Sequence, residues 1–322
     1  MASKNKQVAE GKLTSDEIMT GSTSSAVMGV NPWSTPNDAL QTAFDSVLGK
    51  PRKKLTFEAL HWGTEFEVGI VEEALKRLNL TDYLTTFNKG FTHKDTPMAV
   101  SLDATAEGNG ETIISNYDKG IVCYSENIKL EGRGIIEAKL TSHEAEMELP
   151  LYRGRIQLQM AMEVMGCSWG AVAVLHRGIK MITHVFERDE ELINDIKTFA
   201  IDFDRRVQKF RENEETEWYD FTTAKSASRV FDQASEGTVD LSDMENDIQT
   251  IQESRDDIKD LEQTIDVTSA RVMARMGDSK YGNAGRYKVV WGEINYKAMP
   301  EKVVPAKEAR TVRISKLRIK DA

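Results

Sequence analysis

Glu137-Ala138-Lys139 follows the apolar pair Ile135-Ile136, and Ser101-Leu102-Asp103 lies some way upstream. An apolar run leading into Glu-x-Lys reads as a short buried strand whose period of two sets the carboxylate and the ammonium on one face. A carboxylate in that setting can bind a hard divalent cation. The lysine can position or deprotonate a water, or stabilise charge developing on a phosphate. Asp103 would supply a second metal oxygen. Glu-x-Lys is a common tripeptide, however, and an edge strand with an ordinary surface ion pair explains it equally until the rest of the chain is considered.

The elements that would hold these groups are legible in the periodicity. Residues 55–80 read as an amphipathic helix, with Phe57, Leu60, Phe66, Ile70, Ala74 and Leu78 at helical spacing. Glu67 lies nearer the apolar stripe than Glu65, Glu72 or Glu73, and a carboxylate so placed needs a partner or a metal. Residues 98–104 alternate as a strand, Gly108-Asn109-Gly110 marks a turn, and the segment up to Gly132 reads as an inserted hairpin or loop. Residues 149–165 return to helical period with Ile156, Met160 and Val164 inward; Arg153/Gln157 and Arg155/Gln159 stand as i,i+4 pairs. Residues 169–175 and 180–186 read as two strands joined at Arg177-Gly178. Helix, three strands, helix, two strands predicts an α/β sandwich with a mixed sheet. Ahead of it, Gly21-Ser22 opens a short helix that Gly29 ends. A hydroxyl at a helix N-terminus suits a phosphate, although a plain structural cap explains it too.

At 322 residues, with 40% hydrophobic and 29% charged side chains, the chain has the composition of a globular protein with a sizeable core. Its two cysteines, Cys123 and Cys167, leave no disulfide framework and no cysteine-rich metal site. His61, His93, His143, His176 and His184 show no zinc-ligand spacing, and His143 reads as a surface residue. A net charge of −10 argues against a general cationic coat, so DNA binding would need basic residues concentrated on one surface. The polar N-terminus leads into no apolar signal segment and no run approaches a membrane span, so a cytoplasmic protein is expected.

Taken together, Gly63-x-x-x-Glu67, Ser101-Leu102-Asp103, Glu137-Ala138-Lys139 and Gln157-Leu158-Gln159 resemble, in that order, the phage lambda exonuclease family (YqaJ-like viral recombinases) of the PD-(D/E)XK nuclease superfamily. Gly21-Ser22 running to Gly29-Val30-Asn31-Pro32-Trp33 resembles that family's N-terminal signature. The likeness spans roughly residues 20–210. It implies a restriction-endonuclease-like α/β core, with a mixed central sheet flanked by helices, over residues 1–210. Residues 211–322 would form a C-terminal extension of amphipathic helices and short strands. The implied activity is Mg²⁺-dependent 5′-to-3′ digestion of double-stranded DNA ends, leaving 3′ single strands for a phage annealing protein. Asp103 and Glu137, with the Ala138 carbonyl and Glu67, would hold the metal, two Mg²⁺ that Mn²⁺ can replace. Lys139 would orient or deprotonate the attacking water, Gln157 would position a ligand or the scissile region, and Ser22, Arg153 and Arg155 would capture phosphate. A homotrimeric ring in a bacterial host, encoded by a phage or prophage, completes the implication.

Two departures stand out: Ala104 follows Asp103 where glycine is frequent, and Leu140-Thr141 replaces a Cys-Pro found in some relatives. Neither removes a ligand. A RecB-type or restriction-like endonuclease and a non-catalytic DNA-end scaffold for recombination remain alternatives. The extension carries its own pattern. Leu241, Met244, Ile248, Ile251, Ile258, Leu261 and Ile265 follow an approximate heptad, predicting one long or two stacked helices over 240–276, either packed on the core or docking a partner. Tyr281 to Arg286 reads as a turn before a strand at 287–291. Residues 310–320 alternate basic and apolar, which suits an edge strand or a DNA backbone.

Overall fold

The computed structural model describes residues 13–51, 58–231 and 234–293. Along the chain come β1 (Met19–Thr20), α1 (Ser24–Val27), α2 (Pro36–Val47), α3 (Glu58–Arg77), β2 (Tyr83–Leu84), β3 (Phe91–Thr92) and β4 (Met98–Val100). Next are β5 (Ala104–Ile113), β6 (Ile121–Cys123), β7 (Ile128–Thr141), α4 (Ile156–Met165), β8 (Trp169–His176), β9 (Lys180–Glu187), α5 (Glu190–Asn213) and α6 (Ala224–Val230). Helix α2 starts with a full capping box, Thr35 and Asp38 each taking the other's backbone N–H, with Pro36 at its first position. Asp189 caps α5 by accepting the Leu192 N–H, and Glu190 and Glu191 complement the helix dipole.

Six strands make the central sheet in the order β2-β5-β7-β8-β9-β6. Pairs β7·β8 and β6·β9 are parallel, whereas β2·β5, β5·β7 and β8·β9 are antiparallel, so the sheet is mixed as predicted. Helix α4 carries the crossover between the parallel central strands β7 and β8; β8 is buried on both faces nearly throughout, and β7 over Gly134–Glu137. One face packs Ile135, Val172 and Val174 against Ile156 and Leu158 of α4, with Phe44 of α2 and Phe203 of α5 in the same cluster. The other packs Ile136, Ala171 and Trp169 against Ile70, Ala74 and Leu78 of the α3 segment. Each fully buried Val, Leu, Ile or Phe among them contributes on the order of 1.5–3 kcal/mol of transfer free energy.

Four expectations are corrected. Gly108-Asn109-Gly110 is not a turn but lies within β5, where Gly108 and Asn109 pair with Gly132 and Glu131 of β7. Residues 98–104 do not form one strand: β4 pairs with β1 and β3 in a separate three-stranded sheet, and β5 begins afresh at Ala104. The stripe on α3 is buried only from Ile70 onward, because Leu60 and Phe66 stand beyond the sheet and are exposed; Phe57 lies outside the described residues. The helix expected over 149–165 is broken, since Leu151–Arg155 form a wide turn with Arg153 and Gly154 outside helical geometry before α4 begins.

The chain divides into two compact units, Met1–Val230 and Phe231–Ala322. The first continues past α5 because Asn37 of α2 grips the Tyr219 backbone, donating to its carbonyl and accepting from its N–H at 2.8 Å each. The second holds a short 3-10 turn, Ser242–Met244, then α7 (Glu245–Met276) and the hairpin β10 (Tyr281–Ala284) and β11 (Tyr287–Val290). Helix α7 is one uninterrupted helix of 32 residues, not two stacked ones. The alternating stretch 310–320 lies outside the described residues. Among those described, no helix is long and apolar enough to cross a membrane.

Candidate active site

Alternation along β7 sends Ile136, Ala138 and Leu140 toward α3, and Ile135, Glu137 and Lys139 toward α4. Ala104 is paired with Ile136. Asp103, one residue before β5, therefore reaches the level of Glu137. There strand pairing ends, and the Asp103 side chain takes the place of a ladder partner: its Oδ2 accepts the Ala138 N–H at 2.8 Å. Lys139 Nζ donates to Glu137 Oε1 and, at 3.1 Å, to Gln157 Oε1 in the first turn of α4. Glu67 is half-buried where α3 passes from its exposed to its buried part, close enough to Asp103 and Lys139 for their charges to act on it.

The electrostatics are those of crowded carboxylates in a dry place. Burial first, and the neighbouring Asp103 charge second, push the Glu137 carboxyl up to about 8, against the pull of Lys139. Burial alone would depress Lys139, but the charges of Glu137, Asp103 and Glu67 outweigh it and hold the ammonium above the ordinary lysine value. Desolvation, then Asp103, raises Glu67 as well. Glu137 is 1% exposed, and its Oε2 has no hydrogen-bond partner. An orphaned buried carboxylate oxygen is costly unless a cation or donor meets it.

The broken turn before α4 shapes the same place. Gly154 has φ +94°, and a Cβ there would stand 3.0 Å from Val172 Cγ1 and 3.2 Å from Lys139 Cε. Glycine is required on both counts, conformation and space. The break also removes the two expected i,i+4 pairs. Arg153 is buried and paired with Glu146 at 2.8 Å. Arg155 lies over the Tyr124 and Phe186 rings and meets Asp189 at 3.3 Å. Gln159 is buried, donating to the Glu187 carbonyl at 2.8 Å and accepting the Asp189 N–H at 2.9 Å. Only Gln157 points to the lysine.

From the N-terminus, Gly21 reaches the site: a Cβ on it would lie 3.1 Å from Gln157 Cγ. Ser22 beside it is exposed and hydrogen-bonded to Thr20 Oγ1 at 3.2 Å. It does not cap α1, whose N-cap is Thr23 without a side-chain bond. The structure thus brings together Glu67, Asp103, Glu137, Lys139 and Gln157, with Gly21-Ser22 alongside, whereas Arg153 and Arg155 are each engaged by a carboxylate. His143 is exposed. Among the described residues no three His, Cys, Asp or Glu side chains group closely enough to hold a metal by themselves. Gly154 and Gly21 were not singled out in the sequence as site residues; an isolated glycine inside a helical pattern was the available signal for Gly154.

A model of the YqaJ-like viral recombinase domain matches residues 12–168, just under half of the chain. Over those residues the chain is similar to that domain. The matched segment runs from before β1 to just past α4 and contains Gly21, Ser22, Glu67, Asp103, Glu137, Lys139, Gly154 and Gln157. No curated protein matches the chain. Among solved structures, an alkaline exonuclease (LHK-Exo) from Laribacter hongkongensis is 16% identical with a TM-score of 0.43, covering 61% of this chain and 90% of that one. A phage-related exonuclease from Haemophilus somnus 129PT is 14% identical with a TM-score of 0.36, covering 61% and 96%.

Proposed function

We propose that the chain is a Mg²⁺-dependent exonuclease that digests double-stranded DNA from 5′ ends and leaves 3′ single strands for recombination by annealing. One observation carries this reading: a lysine shared between a glutamate and a glutamine on a buried strand face, with a second carboxylate bound to the intervening backbone N–H. The family supports it.

Asp103 and Glu137, with the Ala138 carbonyl, would hold the cation, and Glu67 would join them directly or through water. The fit rests on the unpartnered Glu137 Oε2 and on an all-oxygen donor set. Hard cations such as Mg²⁺ take one or two carboxylates and fill the remaining positions with water, so no group of three acids is needed. The bound ion supplies an ionised water near neutral pH and neutralises charge on the phosphate. Lys139, an ammonium held from two sides, would orient the attacking water and stabilise the charge that develops on the phosphate. Gln157 fixes the lysine's direction and the scissile region. Ser22, exposed next to Gly21, takes a phosphate oxygen; Arg153 and Arg155 do the same by exchanging Glu146 and Asp189 for phosphate. The trimeric ring, the annealing partner and the phage setting rest on the resemblance to lambda exonuclease.

The test is digestion of linear duplex labelled at either end, with 5′-phosphate or 5′-hydroxyl termini. Mononucleotides released from the 5′ end, faster with phosphate, are expected. Release from the 3′ end, or cutting of closed circles, would replace this reading with a different nuclease.

A further inference from the structure

Trp33 stands bare beside the candidate site. It is 63% exposed, yet its backbone is held from both sides. Asn31 Oδ1 accepts the Trp33 N–H at 2.9 Å and the Ser34 N–H at 3.1 Å, and Arg229 donates to the Trp33 carbonyl at 3.1 Å. Asn31 is fixed in turn, donating to Ser25 Oγ at 3.0 Å, and Arg229 is paired with Asp38 at 3.2 Å. An indole left largely in water adds little burial to the fold. A loop that nonetheless fixes it in place pre-organises a large, rigid aromatic surface for contact with something outside the chain.

The neighbours of that ring indicate its occupant. Trp33 meets the Tyr152 ring edge-to-face, with centroids 5.3 Å apart, which leaves at least one indole face uncovered by Tyr152. The Arg153 guanidinium lies 5.5 Å from the centre of the same Tyr152 ring and donates to its hydroxyl at 3.1 Å. Next in the turn is Gly154, against the methylenes of Lys139. Indole, phenol, guanidinium and the lysine of the site therefore follow one another across one turn and the loop beside it. Cations interleaved with aromatic rings are how proteins hold single-stranded nucleic acid, phosphate on the charge and base on the ring. A base hangs one sugar away from its phosphate, so a phosphate taken by Arg153 leaves its base within reach of Trp33. The surroundings are polar, with Asn31 and Ser34 in the same loop and the Arg153–Glu146 pair beyond Tyr152. That suits a nucleotide better than the apolar patch of a protein partner. Stacking also needs no charge, which matters in a chain whose net charge of −10 offers DNA no general attraction.

We propose that Trp33, backed by Tyr152, is a stacking platform for the unpaired base at the 5′ end of the strand being digested. The inference rests on the nuclease reading and adds a base contact to its phosphate contacts. Fluorescence anisotropy of the full-length protein tests it, on duplexes whose one-nucleotide 5′ overhang carries either adenine or an abasic sugar. Ca²⁺ replaces Mg²⁺ in this measurement, because it fills an oxygen site without the strict octahedral geometry of Mg²⁺ and so keeps turnover low. Wild type is expected to bind the adenine end about tenfold more tightly than the abasic end. Trp33→Ala is expected to bind the two ends alike, and Trp33→Phe to keep most of the preference. A preference undiminished in Trp33→Ala would overturn the proposal. So would a wild type that binds both ends equally well, or a Trp33→Phe as indifferent to the base as Trp33→Ala. Failure of wild type to bind either end would overturn the nuclease reading together with this one.

Discussion

At the scale of single residues, the site is defined by what surrounds Lys139. Its ammonium is pinned by Glu137 and Gln157, and its methylenes run beside Gly154. Gly154→Ala tests how much that placement matters. A left-handed alanine costs about 1–2 kcal/mol, and the new methyl crowds Val172 and Lys139 Cε. The variant is expected to fold with a lowered melting temperature and to lose about ten- to a hundredfold in digestion rate at saturating DNA, because small misplacements of reacting groups are costly. A melting shift with an undiminished rate would show that Gly154 serves the fold alone. Much of this site was legible beforehand. Glu137 and Lys139 share a face by strand period alone, and Asp103 was legible as a second metal oxygen, though it was expected within a strand over 98–104 rather than just ahead of β5. Ser22 as a cap and the pairing of Arg153 with Gln157 were misjudged, because the turn at Gly154 depends on contacts with β7 and β8 that no local pattern encodes.

At the scale of elements, α4 has to stay fixed against the sheet if Gln157 is to reach the lysine. The far end of α4 is tied by Glu163, nearly buried, which pairs with Arg188 and Lys197 and meets His93 Nε2 at 3.3 Å. Burial acts to raise this carboxyl, but the ion pairs with Lys197 and Arg188 prevail and lower it to about 2. A pKa depressed by folding stabilises the native state above the unfolded value near 4.5, and the contribution fades as pH falls from there toward 2. Glu163→Gln is therefore expected to cost on the order of 2–3 kcal/mol at pH 7 and clearly less at pH 3, measured by urea unfolding at both. An equal loss at the two pH values would assign the effect to packing. None of these partners is near Glu163 in sequence, which is why the tie could not be read there. The sheet order was within reach, since a mixed sheet follows from a parallel crossover at α4 beside hairpins. The separate three-stranded sheet was not, because β1, β3 and β4 are too short for a period to show.

At the scale of the whole molecule, a chain of net charge −10 is proposed to act on a polyanion. Part of that charge sits where a cation is expected, at Glu67, Asp103 and Glu137, and part on α7, which carries Glu245, Asp247, Glu253, Asp256, Asp257, Asp260, Glu262 and Asp266. Binding to DNA is thus expected to depend on the divalent ion as well as on basic side chains. The heptad of α7 was visible in the sequence, but whether it formed one helix or two was settled only by the continuous helix Glu245–Met276. The most direct test of the central claim compares wild type with Lys139→Met on linear duplex DNA with Mg²⁺ and with EDTA, after circular dichroism has shown both to be folded. Wild type is expected to degrade the duplex only with Mg²⁺, and Lys139→Met to be slower by about a hundredfold or more. Degradation by Lys139→Met at the wild-type rate, or an intact duplex under wild type in Mg²⁺ and Mn²⁺ alike, would contradict it.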